Sequence, residues 1–154
     1  MSEPSTMITA RQRWMSVLAK SSPQLVEECI ARLGELPAFK FLRAPEQGAV
    51  MVRARAGGDG AAFCLGEMTV TRCAVEISGG AVGHAYVQGR DAEHAKLAAV
   101  FDALAQDENE RERVLNIVIE PLEQRLRGER KAREQGAASS KVEFFTVARG
   151  ENRA

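Results

Sequence analysis

The densest group of chemically able side chains is Gly89-Arg90-Asp91-Ala92-Glu93-His94. It sets an arginine, a capping aspartate and a histidine at what reads as a helix start. A helix N-terminus offers free N–H groups and the positive end of a dipole, both suited to an anion. Asp91 competes for those N–H groups as the cap. His94 also falls on an apolar stripe, so a core histidine satisfied by one hydrogen bond is the plainer reading. His84 has the same plain reading. A short loop joins the elements of His84 and His94, so the two imidazoles can meet as an acid–base pair.

Arg53 and Arg55 lie two apart and share one strand face. Guanidinium forks match phosphate and carboxylate, so the pair can grip an anion or an acidic partner. A solvated strand face is the alternative. Arg72 adjoins Cys73, but neighbouring strand residues point to opposite faces. Arg72 is therefore poorly placed to activate that thiol, and Cys73 reads as an inert core cysteine. No Gly-x-Ser-x-Gly elbow is present. The run Ala56-Gly57-Gly58-Asp59-Gly60 lacks the lysine and the following helix of a phosphate loop, and reads as a hairpin turn. Three cysteines and two histidines, widely spaced, match no zinc pattern. No catalytic residue and no metal ligand is assigned.

The elements that must position these residues come next. The chain has 154 residues, 45% of them hydrophobic and 27% charged. One domain of this size buries roughly 70% of its unfolded surface. Only 5% of residues are aromatic, so Leu, Val, Ile and Ala must fill the core. The 21 basic residues balance 21 acidic ones. That balance argues against nucleic-acid or membrane-surface binding. The odd cysteine count, the lack of an apolar leader and the lack of any run near ~18 apolar residues make the cytoplasm the simplest address.

Residues 1–8 read as a flexible tail, and 9–154 as a single domain. Thr9 is a plausible cap for a first helix bearing Trp14, Val17 and Leu18. Ser22 caps a second helix with Pro23 at its first position, Cys29 in its apolar stripe and Gly34 at its end. From Pro37 the period shortens to about two. Phe39, Phe41, Val50 and Val52 suggest strands, and Phe63 to Ile77 is extended, with Gly66 as a bulge or corner. Ser78-Gly79-Gly80 is a hairpin turn before Ala81 to Gln88. If Gly79-Gly80 is a two-residue loop, Ile77 pairs with Val82, Val75 with His84 and Cys73 with Tyr86. Thr71, Cys73, Val75 and Ile77 then share a helix-facing side with Val82, His84 and Tyr86. A slip of one residue exchanges the faces.

Asp91 caps a helix through about Ala105, with the stripe His94, Leu97, Ala98, Phe101 and Leu104. Another helical region starts near Asn109 and carries Leu115, Val118, Ile119, Leu122 and Leu126. Pro121 should kink or split it. Residues 128–140 read as a charged helix end and linker. The terminal segment 141–154 holds the apolar run Val142 to Val147, which either completes the domain's own sheet or adds a strand to a neighbour. The fold class is α+β: N- and C-terminal helices packed on an antiparallel sheet of hairpins.

Longer runs carry a resemblance. They are Arg11-Gln12-Arg13-Trp14-Met15-Ser16-Val17-Leu18-Ala19, Thr69-Val70-Thr71-Arg72-Cys73-Ala74-Val75, and Tyr86-Val87-Gln88-Gly89-Arg90-Asp91 followed by His94-Ala95. Phe144-Phe145-Thr146 and Arg149-Gly150-Glu151-Asn152 follow near the end. In this order and spacing they resemble the G subunit of the bacterial carbon–phosphorus lyase core complex. The likeness covers about Arg11 to Asn152. It implies a cytoplasmic complex with H, I and J subunits and an ATP-binding-cassette-type subunit. That complex transfers an alkylphosphonate onto the ribose of ATP and releases adenine. ATP is then the co-substrate of the complex, and no cofactor is held by this chain alone. The family supplies no catalytic residue of its G subunit to carry over.

Three readings follow. The first is a non-catalytic assembly subunit of that transferase, which predicts an apolar surface involving Phe144 and Phe145 that a partner covers. The second is a free-standing binding domain for a phosphorylated metabolite, using Arg53, Arg55, Arg72 or Arg90. The third is an enzyme acting through His84 and His94. The first is favoured.

Overall fold

A computed structural model describes the backbone of residues 4–55 and 60–139, and the side chains of 9–55 and 60–138. Two helices lead, α1 (Pro4–Lys20) and α2 (Pro23–Leu33). Three strands follow, β1 (Phe39–Arg55), β2 (Ala62–Ile77) and β3 (Val82–Gln88). Helices α3 (Ala92–Gln106), α4 (Glu108–Val114) and α5 (Glu120–Ser139) complete the described chain, with a π-helical turn, Leu115–Ile119, joining α4 to α5. The sheet is antiparallel in the order β1-β2-β3. The expected α+β class is the one found.

The caps lie where the sequence places them. Ser22 Oγ accepts from Leu25 N–H at 3.4 Å, and Asp91 Oδ1 accepts from His94 N–H at 2.8 Å. Gly34 ends α2 with φ of 92°, a conformation only glycine adopts cheaply. Helix α1, however, begins at Pro4, so Thr9 lies inside it and does not cap it. Proline suits a first helical turn, where its missing N–H costs nothing.

The hairpin register differs from the expectation by one residue. Val75 pairs with Gly83, Ala74 with His84 and Arg72 with Tyr86. The loop has three residues, Ser78-Gly79-Gly80, with φ of 114° and 85° at the two glycines. Thr71, Cys73, Val75 and Ile77 do face the core, but their neighbours are Gly83, Ala85 and Val87. His84 and Tyr86 point outward.

Strand β1 is continuous where two pieces are expected. It absorbs Pro45 through register shifts between Phe41 and Glu46. Proline is tolerated there because β1 is an edge strand. Leu65 is skipped between Val52↔Gly66 and Arg53↔Cys64, so the bulge expected at Gly66 falls beside it. Strand β3 ends against Val70. Beyond that point β1 and β2 form a two-stranded ribbon. The turn expected at Ala56 to Gly60 lies almost wholly outside the described residues.

Helix α3 is the centre of the core. The sequence suggests one stripe, yet Ala95, Ala99, Val100, Ala103 and Ala105 are buried as well. The sheet covers one side, and α1, α2 and α4 cover the other. A helix that is apolar all round belongs in such a place. Its alanines let the sheet approach closely. An added Cβ at Gly83 would stand 1.8 Å from the carbonyl oxygen of Ala99.

Pro121 does not split the last helical region. It lacks the N–H that an α-helix needs and crowds the carbonyl one turn back. The π turn lies immediately before it, where the Glu120 N–H reaches Leu115 O. Val118, Ile119 and Leu122 stay buried across this region. Helix α5 then runs to Ser139, through residues 136–139 where a linker is expected.

Cys29 and Cys73 are buried and Cys64 is exposed, all as free thiols. Burial raises the pKa of Cys29 and of Cys73, because a desolvated thiolate is disfavoured. Cys73 Sγ also points at the carbonyl of Arg43, at 3.5 Å. With a thiol-disulfide reagent at mild alkaline pH, one thiol should react fast. The other two should react only as the chain unfolds. Three fast thiols in the native protein would contradict the packing of α2 and β2.

Candidate functional site

The residues picked from the sequence do not converge. Arg53 and Arg55 lie near the free end of the ribbon on one face, opposite Cys64 and Ala62. Arg72 is on the outer sheet face, where its Nε donates to Glu46 Oε1 at 2.6 Å. Arg90 is exposed ahead of α3. His94 is buried, and its Nε2 lies 2.8 Å from the Leu18 carbonyl. A carbonyl only accepts, so Nε2 carries the proton. His94 is thus a core histidine tying α3 to α1. His84 faces outward from β3, away from the side that α3 covers, so the imidazole pair is not assembled. Phe144 and Phe145 lie outside the described residues.

One concave feature does gather side chains from seven elements. It is an open cleft of about 1070 Å³. Its apolar floor includes Val50, Met68, Val70 and Tyr86 of the sheet, with Val17 of α1. Asp91 and His94 reach its edge at the start of α3. The opposite wall is α5, which contributes Leu126, Arg127, Arg130 and Arg133, and Lys20 stands at the end of α1.

Each carboxylate at the cleft is engaged. Glu123 accepts from Arg13 and, at 3.1 Å, from Arg127. The hydrogen bond from Arg13 is the main reason its pKa is held below the usual carboxylate range. Glu129 pairs with Arg125 at 3.5 Å. Asp91 caps α3. Lys20 and Arg133 have no carboxylate partner among the described residues. The cleft therefore presents an apolar floor beside surplus positive charge.

The sequence reading took the charged stretch from Gly128 onward as a solvated helix end. A signal was available in Arg127, Arg130 and Arg133, which recur every three residues along a helix. What faces them comes from distant parts of the chain, β1 to the start of α3, which no local pattern reveals.

Among the described residues no group of three or more His, Cys, Asp or Glu is placed to hold a metal ion. No helix among them is long and apolar enough to cross a membrane.

Fold and cleft together define a small α+β domain with a two-stranded ribbon and a cationic helix flanking one open trough. Residues 9–150 match the family described as phosphonate metabolism protein PhnG. The chain belongs to that family, the one its sequence resembles. It is also similar to the alpha-D-ribose 1-methylphosphonate 5-triphosphate synthase subunit PhnG of Rhizobium meliloti (strain 1021). The two are 37% identical over 145 residues, which cover 94% of this chain and 92% of that one.

Proposed function

We propose that this chain is a subunit of a ribose 1-methylphosphonate 5-triphosphate synthase and serves phosphonate metabolism in the cytoplasm. The likeness to a protein named as such a subunit, along nearly the full length of both chains, carries this reading. The complex includes H, I and J subunits and works with an ATP-binding-cassette-type subunit. It moves an alkylphosphonate onto the ribose of ATP, with adenine as the leaving group. ATP is the co-substrate of the assembly, and this chain's part is to support it without catalytic residues of its own.

The exposed apolar side chains support an assembly role. Met51 and Leu65 are 65% and 64% exposed, and Phe63 and Tyr86 are also open. Met51 and Phe63 lie on opposite faces of the ribbon, and large apolar side chains left exposed in this way are the ones a partner covers. Two of the arginines expected for a free-standing metabolite site stand near the ribbon's free end, and Arg72 is paired with Glu46.

Co-expression of the tagged chain with the H, I and J subunits of its own organism tests the proposal. Light scattering on the eluted species should show one stoichiometric complex. The chain expressed alone should be poorly soluble or aggregated. A monodisperse chain that ignores those partners would overturn the subunit reading.

A further inference from the structure

The ribbon has two unlike faces. On one, Gly48 stands beside Val70, Val50 beside Met68, Val52 beside Gly66 and Ala54 beside Phe63. On the other, Gln47 stands beside Thr71, Met51 beside Glu67 and Arg53 beside Cys64. The first face holds no polar side chain. It is also continuous with the cleft, because Val50, Met68 and Val70 form part of the cleft floor. Past Val70 no third strand supports it among the described residues, and no described helix packs on it closely enough to bury Phe63, which is 45% exposed. The stripe from Gly48 to Ala54 runs about 20 Å at ~3.3 Å per residue.

The facing wall has the opposite chemistry. Arg127 and Arg130 are 75% and 79% exposed and are held only by neighbours on their own helix, Glu123 and Glu134. Exposed pairs of this kind are weak and exchange readily. Lys20 and Arg133, without a carboxylate partner among the described residues, add positive charge at the same cleft, beside the engaged carboxylates Asp91, Glu123 and Glu129.

We propose that the cleft is a docking groove for an acidic, amphipathic segment of a partner protein. The segment lies along the ribbon with its apolar side on Val50, Val52, Phe63 and Met68. Its carboxylates face Lys20, Arg127, Arg130 and Arg133. Charge complementarity selects this occupant. The chain's own terminal stretch, residues 141–154, carries three basic and two acidic side chains and matches a cationic wall poorly. The inference rests on the subunit reading above and adds the surface and the partner's chemistry.

The test uses the co-expressed complex and two variants of the full chain. In the first, Arg127→Glu, Arg130→Glu and Arg133→Glu are combined. In the second, Val52→Asp is placed on the ribbon, on an element separate from α5. These positions are outside the buried core, so both variants should keep the wild-type circular dichroism melt. Each should weaken assembly at least about tenfold, since opposed like charges at an interface cost several-fold to many-fold in affinity. Wild-type assembly should itself weaken as salt is raised.

Wild-type assembly by both variants would overturn the groove and leave the subunit reading standing. Failure of the wild-type chain to assemble would remove both. Loss of binding to ATP or inorganic phosphate in the charge-reversed variant, with assembly intact, would identify a small-anion site and overturn the inference. So would self-association of the wild-type chain that either variant abolishes, because the occupant would then be a second copy.

Discussion

Gly83→Ala should strongly destabilise the protein. The new methyl would sit 1.8 Å from Ala99 O and 2.7 Å from Ala103 N, both backbone atoms of the central helix. No rotamer can relieve such a contact. Ordinary carbon contacts lie near 3.5 Å, so α3 would have to lift by more than about 1 Å along its length. That movement opens the packing between the helix and Val75, Ala85 and Val87, all buried. Overpacking a tight core costs about 1–3 kcal/mol, and a backbone-against-backbone clash belongs at or beyond the top of that range. The melting temperature should fall by roughly 10 °C, given about 2–4 °C per kcal/mol for a chain of this size. Gly48→Ala and Gly66→Ala meet nothing within 4 Å and should melt close to wild type. If Gly83→Ala melts with them, α3 does not cross β3 at this point.

Asp102→Ala should be the most damaging loss of a single polar group. The residue is fully buried. Its carboxylate accepts from Arg11 Nε and Nη2 at 3.2 and 2.8 Å and from Trp14 Nε1 at 2.8 Å. It also accepts the backbone N–H of His84 at 2.9 Å. That last bond closes the open edge of β3, whose Val82 carbonyl accepts from Gln106 at 2.8 Å. One side chain of α3 therefore joins α1 to the sheet edge. Its removal leaves an indole donor, a strand amide and a guanidinium without their acceptor. Arg11 keeps 34% of its side chain exposed, so the loss falls toward the lower end of the about 3–5 kcal/mol that breaking a buried pair costs, still a large part of the ~5–15 kcal/mol that holds a domain together. Asp102→Asn keeps the volume but turns an amide donor toward groups that are already donors, and it should also lose stability, by less. Chemical denaturation read by Trp14 fluorescence would measure both. Melts within error of wild type would mean the carboxylate is not the hub of these contacts.

Much of the fold was legible because its signals are local. Ser22 and Asp91 can be recognised as caps from their own side chains and the apolar residues that follow. Gly34 ends a helix for a reason that concerns only its own φ angle. Trp14, Val17, Val26 and Phe101 recur at helical spacing and are buried. The extent of the elements was harder to see. Helix α1 extends back to Pro4, and α5 continues past Gly136, because no local signal forces a boundary there. Pro121 looked like a break. The π turn ahead of it shows how the helical region can pass a proline while its apolar side stays buried.

The β3 face is the clearest case of a small local difference with a large result. A three-residue loop replaced a two-residue one. The strand period is two, so every side chain of β3 changed sides, and His84 and Tyr86 moved from the expected core to the surface.

By itself the sequence determined the α+β class, most helix positions, the core face of β2 and the membership in a phosphonate-metabolism family. Each of those rests on periodicity, capping chemistry or ordered motifs along the chain. Only the tertiary structure decided which residues share a cleft. Val50 and Met68 meet the wall bearing Arg127, Arg130 and Arg133 because the ribbon and the last helix both flank one open space. That meeting depends on the path of the chain between them. It leaves no trace in the spacing of either segment.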